Sequence, residues 1–159
     1  MAPRFLPRAA SLAYAALTAP IALIDGGALP ALAHAGALAR EVEFSYPVPS
    51  GPTGQRAQVK GFIDALAAWD DELWVVDYKS DVLGGADIAA AAQRRVREHY
   101  AVQARLYALA ADRMRGGRRL AGLLFAFVRH GVAVPVRVGG DTLAAWAEWL
   151  AAIPRQEAS

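Results

Sequence analysis

GFID at 61–64 and WVVDYKS at 74–80 are the two stretches on which the fold depends. Each is a run of strand-forming residues that leads into an acid, and a polar turn at 69–72 separates them, which predicts two antiparallel neighbours. Side chains two residues apart on a strand share a face, so Asp77 and Lys79 are expected to lie together. Asp64 joins them if the strands pair. Two carboxylates beside an ammonium can bind a divalent cation and direct water at a phosphodiester, although spacing alone slightly favours an ordinary ion pair.

Lysine is rare in this chain, which makes Lys79 informative. Of the 17 basic residues, only Lys60 and Lys79 are lysine, and the others are arginine. A compact ammonium can shift its pKa and exchange a proton with water, whereas a guanidinium stays charged. A lysine retained between the acids of a strand end therefore favours a chemical role for Lys79.

Two further short segments accompany the acidic strands, one after them and one before them. YAVQARLY at 100–107 places Gln103 and Tyr107 one helical turn apart on one face, and REVEF at 40–44 precedes the acidic strands. With the GFID and DYKS blocks, they resemble the PD-(D/E)xK nuclease superfamily. More narrowly, they resemble the RecB-like C-terminal nuclease domain of the RecBCD and AddAB helicase-nucleases and of Cas4 relatives. The resemblance extends over about residues 40–138.

The resemblance implies a restriction-endonuclease-like α/β fold, with a small mixed β-sheet flanked by helices in the order α-βββ-α-β-β-α. Hydrophobic periodicity by itself supports an α/β fold with a small mixed sheet. The pattern predicts helices at 8–18, 28–39, 87–114 and 141–153, and strands at 41–48, 57–69, 73–78, 120–128 and 132–138. We expect a helical segment packing on the core at 1–39, the nuclease core at 40–153 and a tail at 154–159.

The resemblance also implies a role for each motif residue. Asp64, Asp77 and the backbone carbonyl of Tyr78 correspond to ligands of Mg²⁺, for which Mn²⁺ can substitute. Lys79 would hold the attacking water and neutralise charge in the transition state. The catalytic set that the resemblance implies is Asp64, Asp77, Lys79, Gln103 and Tyr107.

The long helix is expected to contact DNA. Arginines crowd into residues 94–119, which suits a phosphate backbone but also an ordinary solvated helix face. Tyr100 precedes Gln103 by three residues. The resemblance places Tyr100, Gln103 and Tyr107 beside the metal site, where they orient Lys79 or touch DNA, and the alternative is that the two tyrosines are core residues. The predicted DNA-binding residues are Tyr100, Arg94, Arg95 and Arg105. Glu41, from the REVEF block, is expected to be a supporting acid near the metal.

Composition narrows the class of protein. The chain has 159 residues, of which 55% are hydrophobic, which is enough for one domain with a substantial core. It contains no cysteine, so it has neither disulfides nor the cysteine-ligated iron–sulfur cluster found in some related nucleases. No Walker A motif occurs, so no ATP site is encoded in this chain. The net charge of +2 says little about partners.

The first 39 residues can be interpreted in two ways. Early arginines, an apolar stretch and a small-residue triplet at 31–33 imitate a secretory signal. Prolines and an acid interrupt the stretch before it reaches the ~20 apolar residues of a membrane span. We favour a cytoplasmic protein that does not contact the membrane, and the alternative is a small secreted α/β protein.

Together these features predict a divalent-metal-dependent DNA nuclease, similar to the beta chain of exodeoxyribonuclease V. Expected partners are DNA, helicase subunits or domains of a RecBCD- or AddAB-like complex in double-strand-break repair and recombination, and the RecA recombinase.

RecB-like nucleases also carry a metal-binding histidine well upstream of the first strand, and His34 does not match it. We therefore expect a C-terminal part of the nuclease domain, and the alternative is a non-catalytic DNA-binding or RecA-interaction module of the same fold.

Overall fold

The computed structural model describes residues 6–48 and 57–156. This part of the chain contains both helices and strands. Their bounds are α1 (Leu6–Thr18), β1 (Ile21–Ala22), β2 (Ala28–Leu29), β3 (Ala37–Val48), β4 (Ala57–Trp69), β5 (Glu72–Lys79), α2 (Ile88–Arg95), α3 (Ala101–Met114), β6 (Arg119–Phe127), β7 (Val132–Arg137) and α4 (Gly140–Gln156). A 3₁₀ turn at Leu32–His34 precedes β3, and a π-helical turn at Val96–Tyr100 joins α2 to α3.

The main sheet has five strands in the order β3-β4-β5-β6-β7. Strands β3, β4 and β5 form an antiparallel meander, as the sequence predicts. The chain then crosses over through α2 and α3, so β6 lies parallel to β5, and β7 returns antiparallel to β6. Pro135 falls on β7, an edge strand, where a missing amide donor is tolerated. This mixed sheet with flanking helices confirms the predicted restriction-endonuclease-like fold.

The two faces of the sheet have different coverings. The front face, which carries Val75, Leu123 and Phe125, is covered by α2 and α3 with help from α4. The buried helix residues that meet it are mostly alanines, which lets the helices approach the sheet closely: Ala91, Ala92, Ala104, Ala108, Ala110 and Ala111. The back face, which carries Trp74, Val76 and Leu124, is covered by residues of the segment between α1 and β3.

Two glycines are needed where the sheet is crowded. Gly122 on β6 has φ +155°, and a Cβ there would lie 2.3 Å from the Val136 carbonyl oxygen. Gly61 on β4 pairs with Phe44, and its Cβ would lie 3.0 Å from that ring. The absence of a side chain at Gly61 therefore makes room for an aromatic ring.

Three predicted elements need correction. The helix predicted at 28–39 is wrong: this segment forms β2 and the 3₁₀ turn, and β3 already begins at Ala37. The long helix predicted to Met114 ends where expected, but the π-helical turn interrupts it. The last helix continues through Gln156, into the predicted tail. Alanine and leucine are strong helix formers, but tertiary contacts can override helix propensity, as they do at 28–39.

Residues 1–5, residues 49–56 between the predicted strands at 41–48 and 57–69, and residues 157–159 lie outside the described part of the chain. Within the described residues, no helix combines the length and apolar character needed to cross a membrane.

Candidate active site

The end of β5 carries acidic and basic side chains out of an apolar strand. Leu73 to Val76 are buried on both faces, and Asp77 follows with only 3% of its surface exposed. Pairing with β6 continues as far as Lys79, whereas pairing with β4 stops at Val76. The sheet therefore opens on one side of β5 at the position where the polar residues begin.

Asp77, Lys79 and Gln103 form a closed triangle of polar contacts. The Lys79 ammonium lies 2.6 Å from Asp77 Oδ2 and donates a hydrogen bond of 2.9 Å to Gln103 Oε1. The Gln103 amide in turn donates to Asp77 Oδ1 at 2.9 Å. Each member thus holds the other two, and the contact between Asp77 and Lys79 is the one that their spacing on the strand predicts.

Asp77 is in an environment that disfavours its charge. Burial raises the pKa of its carboxyl, and the nearby Asp64 carboxylate also raises it, whereas the contacts with Lys79 and Gln103 lower it. Oδ2 is the Asp77 oxygen that meets the Lys79 ammonium, at 2.6 Å. A buried carboxylate is costly unless it is paired or bound to a metal, and in this structure Asp77 is paired with Lys79.

Asp64 reaches the site from β4 by a different route. Its Oδ2 accepts a hydrogen bond of 2.8 Å from the backbone amide of Tyr78, where the ladder between β4 and β5 has ended. Among the described residues, no hydrogen bond or ion pair joins Asp64 to Asp77 or Lys79. The Asp64 side chain therefore takes the place of a backbone carbonyl of β4 as the acceptor for the Tyr78 amide. Its other oxygen, Oδ1, is not used in that hydrogen bond.

The strand pairing beside Asp64 is locally interrupted. β3 and β4 pair regularly on either side, but the pair between Glu41 and Asp64 is missing, and Glu41 has the left-handed φ of 52°. A non-glycine residue rarely adopts this conformation, and such strain is common at functional sites. The structure places Glu41 exposed next to Asp64, and it gives no contact of the Glu41 side chain with the site.

The helix motif residues contact the site from the front face. The Tyr100 ring centroid lies 3.8 Å from the Lys79 ammonium, and its hydroxyl donates to Asp81. Tyr107 packs edge-on against Phe44 with the ring centroids 5.5 Å apart. Burial raises the pKa of both tyrosines, so both hydroxyls keep their protons at neutral pH.

The side chain of Tyr78 points to the opposite face of the sheet. It lines a cavity of about 140 Å³ between α1 and the back face, together with Leu12 and Val76. The cavity is apolar and does not include Asp77 or Lys79. The carboxylate site is therefore distinct from this cavity.

The predicted DNA-binding arginines have unequal surroundings. Arg94 is exposed on α2, whereas Arg95 lies 3.5 Å from Asp81 in an ion pair. The Arg105 guanidinium stacks 4.6 Å from the Trp149 ring centre on α4. Arg95 is thus tied to the site through Asp81, and Arg105 is tied to the packing of two helices.

Sequence reasoning missed Asp81 and the π-helical turn. Asp81 contacts both Tyr100 and Arg95, but a single acid after DYKS carries no spacing signal of its own. The π-helical turn inserts a residue before α3 and places Tyr100 at the start of that helix. Such turns inside helices often occur at functional sites, but no sequence pattern marks them.

The donor set fits a hard cation of the magnesium type. The described residues contain no group of three or more His, Cys, Asp or Glu side chains arranged around a metal. Asp64, Asp77 and a backbone carbonyl would supply oxygen ligands, and Mg²⁺ commonly binds to one or two carboxylates and keeps several waters. The second Asp64 oxygen, which lies outside the bond to the Tyr78 amide, supports this fit.

An antiparallel meander, a parallel fourth strand and an Asp-x-Lys pair beside a second aspartate define a nuclease core of the restriction-endonuclease type. Comparison with protein families agrees: the profile described as the PD-(D/E)XK nuclease superfamily matches residues 23–158. The chain belongs to the PD-(D/E)XK nuclease superfamily.

Individual curated proteins show a more specific similarity than the superfamily does. The chain is 31% identical over 96 residues to an ATP-dependent helicase/nuclease subunit from Listeria monocytogenes serotype 4a (strain HCC23), covering 55% of this chain and 8% of that protein. It is 32% identical over 76 residues to the protein of the same name from Listeria innocua serovar 6a, covering 43% of this chain and 6% of that protein. The matched region is thus less than a tenth of the length of these relatives.

Proposed function

We propose that this chain is a divalent-metal-dependent deoxyribonuclease, and that it serves as the nuclease module of a RecB-like helicase-nuclease in double-strand-break repair and recombination. The observation that carries the proposal is the buried Asp77 carboxylate, which lies 2.6 Å from the Lys79 ammonium where the ladder between β4 and β5 has ended. A desolvated acid with a specific charged partner is typical of a catalytic site.

Asp64, Asp77 and the Tyr78 carbonyl would hold Mg²⁺, with Mn²⁺ as a substitute. When bound, such a cation polarises a phosphoryl oxygen and lowers the pKa of a coordinated water. The Gln103 amide keeps Asp77 and Lys79 at fixed positions, so the ammonium is in place before substrate arrives. Positioned charges need no reorganisation during the reaction, which is the main source of their catalytic effect.

Lys79 would orient the attacking water and stabilise negative charge that develops on the phosphate oxygens. The water oxygen forms a bond to phosphorus, the bond to the leaving oxygen breaks, and the leaving oxygen takes up a proton. No covalent intermediate on a side chain is required. Tyr107 would support this arrangement by packing behind Gln103 against Phe44.

The partners follow from the relatives. Proteins named as subunits of an ATP-dependent helicase/nuclease contain the matched region within much longer chains. We propose that this chain acts on DNA in the cytoplasm together with helicase subunits or domains of an AddAB-like assembly, with RecA as a further partner. Arg94, Arg95, Arg105 and Tyr100 remain the proposed DNA contacts.

The test is degradation of linear single- and double-stranded DNA with Mg²⁺ or Mn²⁺. We expect cleavage that chelator stops and that Asp77→Ala and Lys79→Ala abolish. Asp112→Ala is a matched control, because Asp112 is also an aspartate paired with a basic residue but lies on the outside of α3. Cleavage that survives both site substitutions, or an Asp77→Ala variant that binds Mg²⁺ as well as the wild type does, would contradict the proposal.

A non-catalytic DNA-binding module is the second candidate. The exposed arginines on α2 and the following turn, Arg94 and Arg97, favour it, because they form no ion pair with the described residues. This alternative predicts DNA binding that is indifferent to chelator and to Asp77→Ala, with salt dependence set by the arginines.

A further inference from the structure

The Lys79 ammonium has a third contact besides Asp77 and Gln103. It lies over the face of the Tyr100 ring, 3.8 Å from the centroid, and its side chain is only 12% exposed. A cation at this distance is attracted by the negative face of an aromatic ring, and the attraction is larger where water is excluded. The position of the Tyr100 ring therefore helps to determine where the ammonium lies.

The Tyr100 ring is itself held at two points. It stacks on Phe125 of β6 with the centroids 5.6 Å apart and the planes 12° from parallel. Its hydroxyl donates a hydrogen bond of 2.8 Å to Asp81 Oδ2. Burial and the bond to Asp81 raise the pKa of Tyr100 to about 12, so the phenol is a hydrogen-bond donor at all physiological pH values.

Asp81 is anchored by groups on both sides. Its other oxygen, Oδ1, lies 3.5 Å from the Arg95 guanidinium. The backbone around it is tied to the turn between β6 and β7, because Arg129 donates to the Ser80 carbonyl and the Leu83 amide donates to His130 Nε2. The carboxylate is therefore a fixed acceptor and not a side chain on a free loop.

We propose that Asp81 is a positioning residue, which holds the Tyr100 ring beneath Lys79 and so fixes the ammonium beside Asp77. A hydrogen bond from a phenol to a carboxylate also adds electron density to the ring, which strengthens its attraction for a cation. Asp81 touches neither Lys79 nor the proposed metal ligands, so its effect passes through Tyr100. The catalytic consequence rests on the proposed nuclease function, but the positioning does not.

The chain offers a direct readout of the positioning, because Lys60 and Lys79 are its only lysines. With lysine labelled by ¹³C at Cε, the NMR spectrum contains two Hε–Cε signals, and Lys60→Arg assigns them. We expect the Lys79 protons to lie upfield of those of Lys60, because they lie over an aromatic face. Asp81→Ala should move the Lys79 signal toward the Lys60 position, and Asp81→Asn, which keeps an acceptor, should move it less.

Tyr100→Phe is the second variant, since it keeps the ring and the stack on Phe125 but loses the hydroxyl. We expect it to move the Lys79 signal in the same direction as Asp81→Ala, whereas Asp112→Ala should leave the signal in place. A Lys79 signal that moves in Tyr100→Leu but stays at its wild-type position in both Asp81→Ala and Tyr100→Phe would overturn the proposal.

Cleavage kinetics test the catalytic consequence. Small displacements of a catalytic group can lower the rate by about 10²-fold, so we expect Asp81→Ala to lower kcat by about 10- to 100-fold with KM unchanged. If the NMR signal moves as expected but neither wild type nor variant cleaves DNA, the positioning stands and the nuclease proposal fails. If the signal moves and kcat is unchanged, the catalytic role of this contact is excluded.

Discussion

The two faces of the sheet differ in how they are covered, and the difference explains where the chemistry lies. On the front face, α2 and α3 press buried alanines onto the strands and bring Gln103 and Tyr100 to the end of β5. On the back face, most residues of α1 are exposed, and a cavity of about 140 Å³ separates this helix from the strands. A close helix–sheet contact can hold polar groups at defined distances, whereas a loosely covered face cannot.

Close packing and site geometry are therefore coupled on one face only. Leu17 on α1 packs against the back-face core, whereas Tyr14 is 71% exposed. Changes on the front face should affect both stability and the site, and changes in α1 should affect neither by much.

The strongest contrast between the faces should be in activity. Asp77→Asn removes the buried negative charge while keeping the size of the side chain, and we expect it to lower DNA cleavage by at least about 10²-fold. Leu12→Ala changes the wall of the back-face cavity, and we expect it to leave the cleavage rate unchanged. Rates measured side by side in Mg²⁺ check this contrast, and a comparable loss in both variants would remove the distinction between the faces.

A second contrast concerns two glycines. Gly122→Ala would force a Cβ to within 2.3 Å of the Val136 carbonyl oxygen and 3.1 Å of the Trp74 ring. We expect a loss of about 3 kcal/mol or more in the free energy of unfolding, measured by urea denaturation. Gly84→Ala is the control, because nothing lies within 4 Å of its Cβ position, and its stability should change by less than about 0.5 kcal/mol. A stable Gly122→Ala variant would show that β6 and β7 are not paired in this register.

A third contrast compares two leucines on opposite sides of the sheet. Leu123 is fully buried on the front face, whereas Leu12 on α1 is 37% exposed. We expect Leu123→Ala to cost about 2–5 kcal/mol and Leu12→Ala about 0.5 kcal/mol or less, as measured by thermal or urea unfolding. Equal costs would indicate that α1 packs tightly onto the back face.

The smallest expected effect is a difference in stability between the wild type and Tyr100→Phe in alkaline solution. Because the folded chain holds the Tyr100 proton more tightly than the unfolded chain does, the resulting stability is complete below pH 10 and is lost as pH rises toward about 12. The unfolding midpoint of the wild type should therefore fall more steeply above pH 10 than that of Tyr100→Phe. Parallel pH profiles for the two proteins would show that Tyr100 is not held as the structure indicates.

Much of the sheet can be predicted from local patterns. The pattern predicts β4 with its observed bounds at 57–69, and the polar turn at 69–72 marks its end. Asp87, where the long helix is predicted to begin, caps α2 by accepting a hydrogen bond from the Ala90 amide. The contact between Asp77 and Lys79 follows from the geometry of a strand. The segment 28–39 cannot be predicted in this way, because its alanines and leucines suit a helix, and burial of Ala31 and Leu32 against the back face decides otherwise.

Residue type and short-range spacing are enough to specify the meander, the order of most elements, and the presence of two acids and a lysine at neighbouring strand ends. Long-range packing was needed for Gln103 to bridge Asp77 and Lys79, for Asp64 to bind the Tyr78 amide, and for Asp81 to reach Tyr100. These contacts join residues 14 to 26 positions apart. They depend on where β4 separates from β5 and how the crossover helices turn, which no local pattern encodes.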